Sequence, residues 1–452
     1  MISPLPLAQW LDSSRPDAAP VAWLGERTWT LGELRQDVTR AVLHLQSRDE
    51  QRWALCFDNS YLFVVALLAA LHAGKTPVLP GHSRPALLNE QRDLFDGVLS
   101  ASALGWNGPE LIVSSAGEPI EPGTALPPVA ANSVIELFTS GSTGTPKRVV
   151  KPVALLDTEI AMLAERFGQQ IAGCRVVSSV VPQHMYGLTY RIFLPMSCGL
   201  PLHAQMTWYA EQLSALDPAC RYVFVSSPAF LKRLDAALAP PSVAVLFSAG
   251  GALARNDVQL VQRWLGIWPD EIYGSTETGS IAWRRQVDNH ASWQLFPGIT
   301  LRAESDNWHL LSPLLPSDES LPLDDNIELV DDGFRLTGRR GRVIKIEDKR
   351  VSLSEIEQRL MALDGVTDAA AVALSRHGRQ GIGAVLTLNP QARQQWLGAS
   401  EGARDLAWRR ALQPWLDPLA VPRYWRVIDE IPVNSMNKRL YAQLEALFHE
   451  AS

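Results

Sequence analysis

The stretch from residue 53 to residue 79 limits the possible folds more than any other part of the chain. Trp-Ala-Leu-Cys-Phe over 53–57 reads as a strand, and the apolar run 61–73 as a helix buried on all sides and ended by Gly74. Thr-Pro-Val-Leu over 76–79 reads as a second strand. Strand, buried helix and strand in this order make a βαβ unit, and parallel strands of that kind need helices covering their sheet. Short apolar strands at 110–113, 134–138, 222–225 and 243–247, with helical stretches between several of them, extend the unit to a mostly parallel α/β architecture. Ahead of it, Thr30-Leu31-Gly32-Glu33 has capping-box spacing, and Leu31, Leu34, Val38, Ala41, Val42 and Leu45 recur at helical intervals. That pattern predicts a helix over 31–46.

A length of 452 residues exceeds what one core usually supports. The pattern also changes after residue 338. A strand over 342–346 is followed by a helix opening with the Ser352-x-x-Glu355 box, and then by strands near 367–374 and 381–388. The expectation is a large domain over 1–338 and a small α+β domain over 339–452, joined by a short hinge at 338–342.

A net charge of −7, from 41 basic and 48 acidic residues spread without blocks, leaves no electrostatic footprint for nucleic acid. Cys56, Cys174, Cys198 and Cys220 show neither a Cys-x-x-Cys pair nor framework spacing, which fits a reduced, cytoplasmic protein. No basic segment followed by an apolar core opens the chain, so no signal peptide is expected. The longest apolar stretch, 61–71, is shorter than the roughly 20 residues that span a bilayer, so no integral membrane segment is expected.

Directly after the apolar strand 134–138 comes Thr139-Ser140-Gly141-Ser142-Thr143-Gly144-Thr145-Pro146-Lys147. Glycine lets the backbone approach an anion, successive N–H groups and hydroxyls donate to phosphate oxygens, and Lys147 supplies charge. The spacing is not that of a Walker A loop. Composition alone fits an exposed turn equally well. Three other segments carry possible chemistry. Tyr273-Gly274-Ser275-Thr276-Glu277 offers a ring to stack on a base, a hydroxyl for phosphate and a carboxylate for a hard cation such as Mg2+, or else forms a strand-end turn. The pair Gly250-Gly251, after the strand 243–247, would let a flat ring lie against backbone or would make a tight strand-to-helix turn. His184 in Pro-Gln-His-Met-Tyr-Gly is read as a pocket residue with no proton transfer.

The order of residues in the first loop resembles the phosphate loop of the adenylate-forming superfamily, which includes acyl-CoA synthetases, aryl-acid ligases and peptide-synthetase adenylation domains. Tyr273 to Glu277 is similar to that family's Tyr-Gly-x-Thr-Glu motif, 250–252 to its Gly-Gly/Ala segment, and His184 to Gly187 to its His-x-x-Gly. The resemblance covers residues 20 to 445, with five motifs in order. It implies a large amino-terminal domain of β-sheets flanked by helices, a small mobile carboxy-terminal domain, and ATP and Mg2+ as cofactors. ATP contacts are carried to Thr139, Ser140, Gly141, Ser142, Thr143, Gly144, Lys147, Gly250, Gly251, Ala252, Tyr273, Asp325 and Arg339, with Asp324 competing with Asp325 for the ribose. His184, Tyr186, Gly187 and Gly274 fall to the acyl pocket, Gly341 to the hinge, Thr276 and Glu277 to catalysis, and Glu277 also to the metal. Pro432-Val-Asn-Ser-Met-Asn-Lys438 resembles the family's carboxy-terminal loop, which makes Lys438 the catalytic lysine.

The implied reaction is acid adenylation followed by transfer to the thiol of CoA or of a phosphopantetheinyl acyl carrier protein. Gly341 replaces the usual Asp or Lys, and Asp348 replaces a glycine that lines the pantetheine tunnel in relatives; the second change favours a carrier protein. More narrowly, the chain resembles the compact ligases of bacterial aryl-polyene pathways, which implies an aromatic acid such as a 4-hydroxybenzoate-like starter. A medium- or long-chain fatty acyl ligase and a non-catalytic nucleotide-binding scaffold are the alternatives.

Overall fold

The computed structural model describes residues 2–115, 117, 120, 125–140, 146–304, 307–316, 320–339, 342–346, 349–376, 379–416, 418–434 and 439–449. The chain divides into two compact units. Residues 1–300 with 311–320 form the first, and residues 301–310 with 321–452 the second.

The βαβ unit is present as read. Strands Arg52–Cys56 and Thr76–Leu79 pair in parallel and flank the helix Ser60–His72, in which every residue but Leu62 is buried. Asn59 caps that helix by accepting from the amides of Tyr61 and Leu62, and Gly74 follows it with φ +70°, a conformation that favours glycine. The helix Leu31–Gln46 opens with the expected capping box: Thr30 Oγ1 accepts the Glu33 N–H at 3.3 Å, and Glu33 Oε2 accepts the Thr30 N–H at 2.8 Å.

Two sheets organise the first unit. One has six strands in the order Glu110–Ile112, Gly97–Ser100, Arg52–Cys56, Thr76–Leu79, Val134–Ser140, Pro146–Pro152. The other has nine: Gln294–Leu295, Gly279–Arg285, Asp270–Ser275, Val243–Ser248, Tyr222–Ser226, Arg175–Ser178, Leu202–His203, Pro20–Leu24, Arg27–Thr30. Their centres are parallel, as a βαβ fold requires, and antiparallel pairs close the edges at 134–152, 270–295 and 20–30. The strand Gly97–Ser100 has no signature in the sequence because it is only four residues long and opens with glycine. That glycine has a packing reason: a Cβ at Gly97 would stand 2.6 Å from the buried ring of Trp53 on the neighbouring strand.

In the second unit, the strand Val366–Arg376 pairs antiparallel with Arg379–Leu388, which pairs in parallel with Tyr424–Val427. Helix Leu353–Met361 is capped by Ser352, whose hydroxyl accepts the Glu355 N–H at 3.2 Å, and it packs Ile356 and Leu360 into a core shared with Trp408 and Trp425. A hairpin, Asp325–Val330 with Gly333–Arg339, precedes these elements.

Candidate active site

The phosphate-type loop joins the antiparallel strands Val134–Ser140 and Pro146–Pro152, with Thr139 facing Lys147 and Ser140 facing Pro146 in register. Thr139 and Ser140 are placed by their backbone; Gly141, Ser142, Thr143 and Gly144 lie outside the described residues. Behind the loop, buried Glu136 takes Arg52 Nη2 at 2.5 Å on one carboxylate oxygen and Arg148 on the other. This ties the loop's incoming strand to its return strand and to Arg52–Cys56 two places away.

Tyr273 to Glu277 lies at the end of Asp270–Ser275, in the other sheet, where the chain turns into Gly279–Arg285. The turn is closed by its own hydroxyls. Ser275 N–H donates to Thr278 Oγ1 at 2.9 Å, and Thr278 N–H donates to Ser275 Oγ at 3.2 Å. Gly274 is required by close backbone contact, since a Cβ there would stand 2.1 Å from the Gly279 carbonyl oxygen. The Tyr273 ring packs at 5.7 Å and 54° against Trp293, over which the Arg284 guanidinium sits at 4.5 Å.

Two motifs read separately along the sequence meet here. Lys147 Nζ stands 3.1 Å from Glu277 Oε1, with side chains 64% and 35% exposed. Burial alone would raise the Glu277 carboxyl, but the Lys147 hydrogen bond, backbone donation and the Lys147 charge outweigh it and hold the group below its ordinary value. Four residues further along the same strand, Lys151 is 2% exposed and its ammonium donates to the Glu277 carbonyl oxygen at 2.5 Å. Burial lowers the Lys151 pKa, opposed by Glu159 and then by Glu277. Glu159, on helix Val153–Ile171, is 2% exposed, and burial raises its pKa. Its Oε1 accepts the Ser280 N–H at 2.8 Å.

The glycine pair ends the strand Val243–Ser248. Gly250 holds φ +90°, whereas a Cβ at Gly251 would find only Pro228 Cγ at 3.8 Å, an ordinary contact. Gly250, Gly251 and Ala252 are exposed, and buried Glu271 fastens the turn behind them by accepting the Leu253 N–H at 3.4 Å and Arg284 at 2.9 Å.

His184 packs over Gly81, where a Cβ would meet its Cε1 at 2.7 Å. Gly187 cannot carry a side chain, because a Cβ there would stand 1.8 Å from the Val181 carbonyl oxygen. After Met185–Gly187 the helix widens to π geometry over Leu188–Phe193. Tyr186 and Tyr190 pack at 4.9 Å, Tyr190 and Phe247 at 4.9 Å, and the Tyr190 hydroxyl lies 3.0 Å from Ser280 Oγ. The His184 segment and the Glu277 turn therefore share one support.

In the second unit, Asp325 and Arg339 are opposite one another at the open end of their hairpin, while Asp324 is exposed just before the strand. Arg339 is placed by its backbone; Gly341, Asp348 and Lys438 lie outside the described residues. The residues that follow Gly341 and Lys438 are well anchored. Arg342 reaches Glu357 at 2.6 Å, and Arg439 reaches Glu357 at 3.2 Å and Asp368 at 2.5 Å.

Lys151, Glu159 and Tyr190 were not singled out from the sequence. A signal was present for Glu159 alone. Lys151 follows Val149-Val150 in a strand that already holds Lys147 and Arg148, so its burial is not evident from its neighbours, whereas Glu159 sits inside the buried stripe of Leu156, Ile160, Leu163 and Phe167. A charge in such a place needs a partner.

A family model described as AMP-binding enzyme matches residues 86–305. The 4-coumarate–CoA ligase of Halorhodospira halophila is 29% identical over 330 residues, which cover 68% of this chain and 75% of that protein. Among solved structures, an ATP-bound RpMatB-BxBclM chimera superposes with a TM-score of 0.80 at 16% identity over 99% of this chain and 100% of that one. A benzoate CoA ligase from Burkholderia xenovorans LB400 gives 0.77 at 20% identity over 97% and 99%. The chain spans only 1% and 7% of two long synthetases that it also matches. With the motifs in order, the family model over 86–305 and the shared fold, the chain is similar to the AMP-binding enzymes of the adenylate-forming superfamily.

Proposed function

We propose that the chain is an ATP-dependent acid:thiol ligase. A carboxylate oxygen of the acid attacks the α-phosphorus of ATP and pyrophosphate leaves; a pantetheine thiol then attacks the acyl carbon and AMP leaves. The observation that carries this reading is the meeting of Lys147 and Glu277 across two sheets, which sets the last residue of a motif of phosphate-binding composition beside a carboxylate.

Magnesium commonly takes one or two protein carboxylates and completes its shell from phosphates and water. Glu277, a single half-buried carboxylate beside that loop, fits such an ion. Among the described residues no group of three His, Cys, Asp or Glu could hold a metal without the nucleotide. When bound, the ion would neutralise charge on the triphosphate. The chain's own residues would do the rest. Lys147, Thr276 and the hydroxyls and amides of 139–144 would bind phosphate; Gly250, Gly251, Ala252 and Tyr273 would hold the base; Asp325 and Arg339 would hold the ribose. Lys438 would stabilise charge developing on the α-phosphate.

The substrate in this reading is an aromatic acid such as a hydroxybenzoate. Its support is the aromatic packing of Tyr186, Tyr190 and Phe247 close to His184 in the chain, together with the aromatic acids named for the two ligases above. The acceptor is a pantetheine thiol, with Asp348 favouring a carrier protein over CoA. The test is acid-dependent ATP–pyrophosphate exchange across hydroxybenzoates, cinnamates and fatty acids of several lengths, followed by thioester formation with CoA and with a holo-carrier protein. Exchange with aromatic acids supports the reading, and exchange confined to fatty acids replaces the substrate class. Silence from folded protein across the whole panel rejects the activity.

A further inference from the structure

The return strand of the phosphate loop and the turn carrying Glu277 belong to different sheets that share no strand. Some contact must hold them in register if both are to touch one nucleotide. The Lys147–Glu277 pair is too exposed for this, because pairs of that kind contribute about 0–1 kcal/mol and are screened by salt. Lys151 is different. It stands four residues along the same strand, so it points to the same face, and it is buried. It holds the backbone carbonyl of the very residue whose carboxylate Lys147 meets. A charge-assisted bond to a carbonyl, away from water, fixes the main chain of Glu277 and leaves its side chain to other partners.

Glu159 grips the other side of the turn through the Ser280 amide, and its second oxygen lies 3.5 Å from the Thr189 hydroxyl. Gly279 holds φ +68°, and a Cβ there would stand 3.2 Å from the Glu159 carboxylate, so that carboxylate packs directly on the turn's backbone. Each charge also compensates the other, since a lone buried ion of either sign would be strongly unfavourable.

We propose that Lys151 and Glu159 are positioning residues that clamp the 277–280 backbone to the strand of the phosphate loop, and so set where the Glu277 carboxylate stands relative to Lys147. The activity readout rests on the ligase reading above; the binding readout does not.

Two variants separate a clamp from mere charge compensation. Lys151→Met keeps the stem and removes the donor. Lys151→Met with Glu159→Gln removes the counter-charge as well, while the glutamine carbonyl oxygen still accepts from Ser280. Thermal unfolding, exchange with the best acid, and the rise in Tm caused by Mg–ATP alone are measured on the full chain. The single variant is expected to lower Tm, and the double variant to recover at least half of that loss. Exchange should stay at least tenfold below wild type in both, with KM for Mg–ATP raised, and the Mg–ATP shift in Tm should shrink in both.

Recovery of exchange and of the Mg–ATP shift to within twofold of wild type in the double variant would reduce the pair to charge compensation and overturn the proposal, as would a single variant indistinguishable from wild type. If the single variant does not fold, the double variant decides. A wild type without exchange but with a Mg–ATP shift rejects the ligase reading and leaves the shifts to judge the clamp. A wild type with neither overturns both.

Discussion

A methyl group at residue 274 asks whether the geometry of the Glu277 turn, rather than the presence of its side chains, carries the proposed activity. In Gly274→Ala the new Cβ would stand 2.1 Å from the Gly279 carbonyl oxygen and 3.0 Å from the carbonyl carbon. A relaxed carbon–oxygen contact is about 3.3–3.6 Å, so the two arms of the turn must part by roughly 1 Å. The obstacle is backbone, which cannot swing aside as a side-chain tip would. The strain falls where the register between the two strands already shifts, between Tyr273 and Gly274. Overpacking of this kind costs about 1–3 kcal/mol. For a unit of roughly 310 residues that lowers Tm by about 2–5 °C.

The effect on activity should be larger than the effect on stability, because Glu277 rides on the displaced segment and a 1 Å misplacement costs on the order of 10²-fold in rate. Acid-dependent ATP–pyrophosphate exchange and a thermal melt on the same preparation read both quantities. Gly251→Ala is the stability control, since its Cβ would make only an ordinary contact with Pro228, and its Tm should remain within about 1 °C of wild type. Exchange by Gly274→Ala within twofold of wild type, with Tm unchanged, would show that the turn opens freely. The argument from close backbone contact would then be wrong.

Lys438→Ala should reduce adenylation more than tenfold while affecting transfer from a preformed acyl-adenylate much less; equal loss in the two half-reactions would remove Lys438 from the first. Asp157 is pushed up to about 6 by burial, although it accepts the Leu7 N–H at 2.9 Å. The unfolded chain releases that proton near pH 4 and the folded chain near 6, so this group lowers stability progressively as pH rises through that window. Asp157→Asn keeps an acceptor oxygen, and its Tm should equal wild type near pH 4 and exceed it by a margin that grows until about pH 6; a constant difference would contradict the assignment. Glu357→Gln leaves Arg342 and Arg439 without their shared counter-charge and should cost about 3 kcal/mol or more, measured by urea unfolding of the full chain. An unchanged urea midpoint would mean that Asp368 and the Tyr441 hydroxyl suffice for the two arginines.

The parts of the fold legible in the sequence were those whose signal is local. The capping box at Thr30, the apolar run of 61–73 and the Ser352 cap each announce an element within a few residues, and each element is there. Gly97–Ser100 was silent because its identity depends on the ring of Trp53, far away in the chain. The site divides in the same way. Lys147 and Glu277 could be named because each sits in a short motif, but their contact, 130 residues apart, could not be derived from either. Lys151 and Glu159 carry no motif. Glu159 stands out only as a charge in apolar company and Lys151 not at all beside Lys147 and Arg148, and what they do depends on which backbone groups the other sheet brings to them.

On the proposed reading, the two lysines of the return strand would divide a task that one could not perform. A side chain that must bind phosphate has to be exposed and able to change partners, and the Lys147–Glu277 pair meets that condition because separating an exposed pair costs little. A group that fixes geometry must not change partners, and Lys151 meets that condition by burial and by holding main chain instead of side chain. Preorganised electrostatics act without reorganisation only if the framework stays in place while charges are exchanged at the surface. A strand that carries an exposed and a buried lysine on one face, both directed at Glu277, would let phosphate and metal compete for the outer contacts while the turn beneath them stays where the inner contact puts it.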